Sequence, residues 1–418
     1  MGEVATEKII ILTGHHVCHN PRAFKEAETL SAAGFDVEWL GVWFDANLAN
    51  RDRLLLQNRK WRFTPVSDWT APTRAAWWQR QRQRLRRQIG LRLHNLFGLE
   101  NAWQLGYCAH ELLYVARRRK ADLFIAHSEP ALWAACKLIR LGHRVGVDME
   151  DWFSEDLLPK DRKSRPLNLL RDLERSLLTT AKHRTCTSKA MSRALADAFA
   201  CNPPLVIYNA FPWADRSQLD GQMKDRTNRK IPSVHWFSQT IGPGRGLEDL
   251  FAALPFMESD LEIHLRGNLS SENHQWLDRL MPVGWKTRVF VHPIVHNDEL
   301  LSRIAEHDIG LALDPNTPPS RNVTITNKIL QYLLAGLPVV ASDTAGQREI
   351  ATQAPLSVFL YPNGESKKLA EQLNLVLNDE NRLRAAKAAA LRAAEEKFSW
   401  EKIAPLLVKN VEESFYVD

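Results

Sequence analysis

Two cations stand where an apolar run ends and a helix begins. Lys328 follows Thr326 and Asn327 in "NVTITNKILQYLLAGLPVVASD" (residues 322–343), and Arg245 lies inside "SQTIGPGRGLEDL" (residues 238–250). In the first stretch Thr326 or Asn327 is the expected N-cap and residues 328–335 a short helix. Gly336 closes that helix before Pro338, and residues 339–342 form a buried strand. Upstream, "DIGLALD" (308–314) is short and apolar enough for another strand. The unit therefore reads strand, loop, helix, strand, a right-handed crossover whose loop sits above the carboxyl ends of parallel strands, where open α/β sheets bind ligands. In the second stretch Gly242, Gly244 and Gly246 free backbone N–H groups that point with a helix dipole to the same edge. Two cations and a row of N–H donors suit an anion. A glycine-rich turn with a solvated arginine is the competing reading and, for the second stretch taken alone, the stronger one.

A second set ends the strands of the first half. His127 closes "DLFIAH", and Asp148, Glu150 and Asp151 close "VGVDMED". His15, His16, Asn20 and Arg22 occupy the loop between the first strand and the first helix. Carboxylates beside histidine permit acid–base work, hydroxyl binding or metal ligation. The competing reading is structural: His127 caps the next helix beside Ser128, and the carboxylates cap one near Ser154. His292 and His296 have metal-like spacing, but Pro293 between them marks a strand end, so they read as a loop and not a zinc pair.

These residues need two α/β frames to position them. "KIIILTG", "FDVEWLGV", "ADLFIAHS", "RVGVDMED", "HRTCTS" and "PLVIYNA" read as strands, alternating with helical stretches such as "NPRAFKEAETLSAAG" and "PALWAACKLIRLG". A polar stretch over 211–232 reads as a linker, and the alternation restarts with "SVHWFSQT", "LEIHLRG" and "RVFVHPI". At 418 residues with 44% hydrophobic content, two domains with ordinary cores are expected. No run is long enough for a membrane span, and the start lacks a signal-peptide pattern, which points to the cytosol. Five scattered cysteines without paired spacing read as reduced structural thiols.

Charge divides the chain. Residues 1–209 hold 32 Lys and Arg against 22 Asp and Glu, a net +10; residues 210–418 hold 23 against 27, a net −4. The extreme is "RAAWWQRQRQRLRRQIGLRLHNLF" (74–97), an amphipathic helix with seven arginines. Two readings fit it: Leu85, Ile89 and Leu93 pack on the first sheet, or the apolar line and its arginines meet an anionic membrane surface. Nucleic acid is the least supported partner, because the run lacks interleaved aromatics beyond Trp77 and Trp78 and sits inside a compact, enzyme-like frame.

In order and spacing, "NPRAFKEAETLSAAGFDVEWLG", "ADLFIAHSEPALWAA", "VGVDMEDWFSED", "VIYNAFP", "IGPGRGLEDLFAALP" and "TNKILQYLLAGLPVVASDTAGQREI" resemble a GT-B glycosyltransferase of the retaining family 4. That resemblance implies two Rossmann-like domains facing across a cleft: an acceptor domain over 1–210, a nucleotide-sugar domain over 211–395, and a helix over 396–418 crossing back to the first. It implies transfer of a sugar from a UDP-linked donor to a hydroxyl of a glycan, lipid-linked or small-molecule acceptor, in polysaccharide or glycoconjugate synthesis. Retention would follow a front-face route in which the leaving phosphate oxygen takes the acceptor proton, with no metal and no cofactor. By the same resemblance His127 borders the donor sugar, Arg245 and Lys328 face the leaving group, and Gly242, Gly244, Gly246, Thr324, Thr326, Asn327 and Gln331 bind donor. His16, Asn20, Arg22, Asp148, Glu150 and Asp151 then bind acceptor. Two departures stand out: Gln331 replaces the glutamate that relatives set on the ribose, and Val323 replaces the other glutamate of their pair. They leave open a non-catalytic nucleotide-sugar binder; a sugar-nucleotide epimerase is the other alternative.

Overall fold

The computed structural model describes residues 6–226 and 230–416, and each of its two units is built on one parallel sheet. Positions 227–229 and 417–418, parts of the stretches read as linker and last helix, lie outside the described residues. The first unit comprises Met1–Thr187, Ser192–Ile207 and Ala404–Asp418, and the second comprises Ser188–Met191 and Tyr208–Ile403.

The first sheet contains β1 (Lys8–Leu12), β2 (Asp36–Trp43), β3 (Arg62–Asp68), β4 (Leu123–Ala126), β5 (Val145–Met149), β6 (His183–Cys186) and β7 (Leu205–Val206), in the order β3-β2-β1-β4-β5-β6-β7. Its centre is continuous hydrophobe because helices cover both faces of a parallel sheet: Ile9, Ile10, Ile11, Leu12, Phe124 and Ile125 are fully buried. The second sheet contains β8 (Ser233–Thr240), β9 (Glu262–Asn268), β10 (Val289–His292), β11 (Ile309–Ala312), β12 (Val339–Ser342) and β13 (Val358–Tyr361), in the order β10-β9-β8-β11-β12-β13. Val234, Trp236, Ile263, Leu265, Leu311 and Val340 form its core with the helices above them.

Strand order reverses once in each sheet, between β1 and β4 and between β8 and β11. There the connecting helices leave on opposite faces, and the loops at the carboxyl ends part to leave a ligand crevice. The loops after β1, β4, β8 and β11, which flank the two reversals, carry most of the chemically suggestive residues; Asp148, Glu150 and Asp151 lie one strand away, at the end of β5.

Two strands are not apparent as apolar runs. Strand β3 contains Pro65 and polar residues and β13 is only four residues long; both lie at sheet edges, where one side of the backbone lacks a partner strand. The 211–232 stretch is no free tether. Its described part is held on the second unit by Arg216 donating to the Leu334 carbonyl, by Asp220 N–H on Ser302 Oγ (3.1 Å) and by Asp225 N–H on Glu306 (2.8 Å). The last helix, Trp400–Tyr416, starts within the second unit, and from Ala404 onward it belongs to the first.

The arginine-rich helix spans Arg74–Phe97, opened by Thr73 accepting from Ala76 N–H (3.1 Å) and closed by Gly98 in the left-handed region (φ 66°). Its buried positions are Ala76, Gln83 and Gly90, whereas Leu85 and Ile89 are exposed. The expectation that Leu85 and Ile89 pack on the sheet is therefore corrected. The sheet side of this helix is lined by small and amide side chains that allow close approach. Among the described residues no helix is long and apolar enough to cross a membrane, and all five cysteines are free.

Candidate functional site

At the reversal in the second sheet, β8 runs into the loop 241–246 and then helix Leu247–Ala253. Gly246 has φ 80°, and a Cβ on it would meet the Leu313 carbonyl oxygen at 1.9 Å. Only glycine lets this loop lie on the end of β11. Arg321, on the short helix Pro319–Val323 of the next crossover, donates to the Gly244 carbonyl (3.2 Å), tying the two loops together. Arg245 is partly exposed and donates to Ser238 Oγ (3.0 Å). Lys328, in the first turn of helix Asn327–Ala335, is buried and reaches Asp314 at the end of β11, with Nζ–O distances of 3.0 and 3.1 Å.

Arg245, Arg321 and Lys328 are thus gathered at one edge with two carboxylates, Asp314 and Glu248; Glu248 accepts from Gly244 N–H (2.8 Å). Among the described residues neither arginine is salt-bridged to a carboxylate, so the edge keeps a net positive charge. Thr324 donates to the Ser320 carbonyl (2.8 Å), and Asn327 accepts from Asn209 (2.9 Å). Thr326 holds the N-cap position but forms no side-chain cap bond. Gln331, one turn on, is partly exposed. His292 places Nε2 3.0 Å from His264 Nδ1 and Nδ1 3.4 Å from Asp225.

At the reversal in the first sheet most of the expected ligands serve the fold. His16 is buried: Nδ1 donates to Asp52 (2.9 Å), and Nε2 accepts from the N–H groups of Phe44 (3.0 Å) and Asp45 (3.2 Å). It clamps the end of β2 to helix Ala46–Leu55. Burial would raise the Asp52 carboxyl, but bonds from His16 and Cys18 N–H hold it below its ordinary value. Asn20 caps helix Pro21–Ala32 by accepting from Ala23 N–H (3.0 Å). Arg22 grips Asp148 with Nε (2.9 Å) and Nη2 (2.8 Å) and donates Nη1 to the Ile207 carbonyl (2.7 Å), while Thr185 also bonds Asp148 (2.9 Å). Both partners are buried, so their hydrogen-bonding capacity is spent on joining β5, β6 and β7 to the first helix.

His127 is wholly buried, not open to solvent as its place at a strand end suggests. Its Nδ1 lies 2.8 Å from Glu150 and its Nε2 2.5 Å from Glu26. Burial alone would lower the imidazole, yet the two carboxylates raise it well above its ordinary value, favouring the protonated form. Glu150 and Asp151 remain partly exposed. Desolvation and the charges of Asp156 and Glu150 push Asp151 up to about 7. Exposed His15 lies within electrostatic reach of Glu150 and His127. The helix near Ser154 is not capped by these carboxylates: Ser154 N–H donates to Glu174 (3.0 Å).

Glu26, His127 and Asp148 place potential metal-ligand atoms within 4.8 Å of one another. The donor set does not fit a cation. Both His127 nitrogens are engaged, and Asp148 is covered by the Arg22 guanidinium.

Residues 233–379 match the family model described as Glycosyl transferases group 1. No curated protein matches. Among solved structures, sucrose-phosphate synthase from Thermosynechococcus elongatus aligns with 99% of this chain and 100% of its own at TM-score 0.71 and 14% identity. Anabaena HepE in complex with UDP-glucose aligns over 97% and 99% at TM-score 0.67 and 17% identity. S. aureus TarM in complex with UDP aligns over 99% and 100% at TM-score 0.68 and 9% identity. The fold is GT-B.

Within this GT-B chain, sequence reasoning missed three groups. Arg321 was hidden in a stretch without helical periodicity. Asp314 ends an apolar run and is legible as a strand-end carboxylate. Glu26 sits on an amphipathic helix two residues before Glu28, and nothing in the sequence marks it as the partner of His127.

Proposed function

We propose that the protein is a glycosyltransferase that moves a sugar from a UDP-linked donor to a hydroxyl of a glycan, lipid-linked or small-molecule acceptor, in polysaccharide or glycoconjugate synthesis. The observation that carries this reading is the convergence of Arg245, Arg321 and Lys328 on one strand edge, beside a glycine-rich loop and inside the matched domain. HepE and TarM, of the same fold, have been solved with UDP-glucose and with UDP.

As the bond from sugar C1 to the phosphate oxygen lengthens, negative charge accumulates on the leaving diphosphate. The two arginines and the loop N–H groups stabilise that charge, while Asp314 fixes where the Lys328 ammonium points. Transfer with retention has the acceptor oxygen bond C1 on the face that the phosphate leaves, its proton passing to the departing phosphate oxygen. No metal or cofactor is needed, because the cations supply the electrostatic work. On the first unit Glu150, Asp151 and His15 take over the acceptor role expected of His16, Asn20, Arg22 and Asp148. Gln331 meets the ribose as a neutral hydrogen-bonding group.

The test is a panel of nucleotide-sugars incubated with glycan and lipid acceptors, read as release of nucleoside diphosphate. Release with a UDP-sugar that depends on acceptor supports the reading. UDP binding by calorimetry without release for any pair assigns a non-catalytic binder instead.

A further inference from the structure

The Arg74–Phe97 helix presents its apolar line outward. The buried positions Ala76, Gln83 and Gly90 recur every seven residues and face the fold. Gln83 accepts from Ser67 (2.9 Å) and Trp69 (2.6 Å), and Gly90 lies against Trp103 and Asn101. At 100° per residue, Trp78, Leu85, Ile89 and Leu96 fall on the opposite side. Trp78 is 66% exposed, Leu85 57% and Leu96 73%, with Phe97 and Trp77 exposed beside them. Single exposed hydrophobes are ordinary on a surface, but a line of them along one 24-residue helix forms a patch. An open groove of about 1140 Å³, lined in part by Val66, Ala71, Trp78 and Leu85, runs beside it.

The same helix carries seven arginines, and residues 69–99 contain no acid. Among the described residues one carboxylate serves them: Glu111 faces Arg82 (3.5 Å) and Arg86 (3.3 Å). Arg80 and Arg84 lie over the Trp69 ring, and Arg87 bonds the Gln104 carbonyl. Arg74 and Arg92 are exposed. A polyanion explains the charge but leaves the apolar line in water. An interface with both acyl chains and anionic headgroups satisfies both.

We propose that this face docks on the surface of an anionic lipid bilayer, with Trp78, Leu85 and Leu96 entering the acyl boundary and the arginines at headgroup level. The proposal does not rest on sugar transfer. If it holds, it assigns the acceptor to the lipid-linked class, since the helix belongs to the first unit.

The experiment is co-sedimentation of the full chain with phosphatidylcholine vesicles, with and without phosphatidylglycerol, at low and high salt, alongside tryptophan emission. The expected result is pelleting only with phosphatidylglycerol, weakened by salt, with a blue shift of emission. Trp78→Ser/Leu85→Ser/Leu96→Ser and Arg74→Gln/Arg84→Gln/Arg92→Gln should each weaken binding by about tenfold or more. All six positions are exposed, so the variants should keep the wild-type circular dichroism and any diphosphate release with a soluble acceptor. The proposal is overturned if the wild type stays in the supernatant at low salt, or pellets equally with phosphatidylcholine alone. Binding unchanged in the apolar triple variant, with capture by a DNA duplex, also overturns it and makes the helix a polyanion site.

Discussion

At the scale of single residues, His127 takes its character from what flanks it. Held between Glu26 and Glu150, it is buried and favours the protonated form, which balances two carboxylates. His127→Ala should cost about 3–5 kcal/mol in urea unfolding, because it strands those carboxylates. The pH dependence has a definite sign. Folded His127 binds its proton more tightly than the unfolded residue, so its contribution is complete below pH 6.5 and declines as pH climbs through the raised value. Asp151 acts in the same direction: its folded value of about 7 exceeds the ordinary 3.8, so the ionised form is penalised as pH rises between the two. Asp151→Asn should match wild-type stability near pH 4 and exceed it increasingly up to pH 7, seen as a growing gap in Tm; a constant gap would contradict the assignment. For the leaving group, Arg245→Ala and Lys328→Ala should each lower kcat by on the order of 10²-fold with the fold intact. Wild-type turnover in both would remove the diphosphate from this edge.

At the scale of elements, the boundaries of the basic helix are legible from its caps and periodicity, and its orientation is not. Periodicity says which side chains share a face, and burial of the apolar face is only the usual outcome. Here Ser67 and Trp69 bring donors that a glutamine satisfies, so the amide side faces in. Gln83→Ala should therefore cost about 1–3 kcal/mol by leaving buried donors unpaired, while Leu85→Ser across the helix should change stability by about 0.5 kcal/mol or less. Denaturant midpoints of the two variants check the contrast, and the reverse order would mean that the helix packs by its leucine line. The glycine-rich loop was legible as a turn into a helix, but its dependence on Leu313 was not, since that contact joins two crossovers far apart in sequence.

At the scale of the whole molecule, two parallel sheets each put their loops at one reversal of strand order, and three cations gather at the second sheet's edge. Activity should persist in EDTA; loss restored by Mg²⁺ or Mn²⁺ would refute the metal-free reading. The sequence by itself determined the alternation of strands and helices, the glycine-rich loop, the helix start that holds Lys328 and the strand end that holds His127. These follow from local periodicity, caps and turn residues, which act within a few positions of the chain. Only the tertiary structure decided that Arg22 neutralises Asp148, that His16 holds Asp52 and that Glu26 completes His127, pairs separated by 126, 36 and 101 residues. A polar side chain's free capacity to bind a ligand is whatever its neighbours in space leave over, and those neighbours are set by sheet order and helix packing.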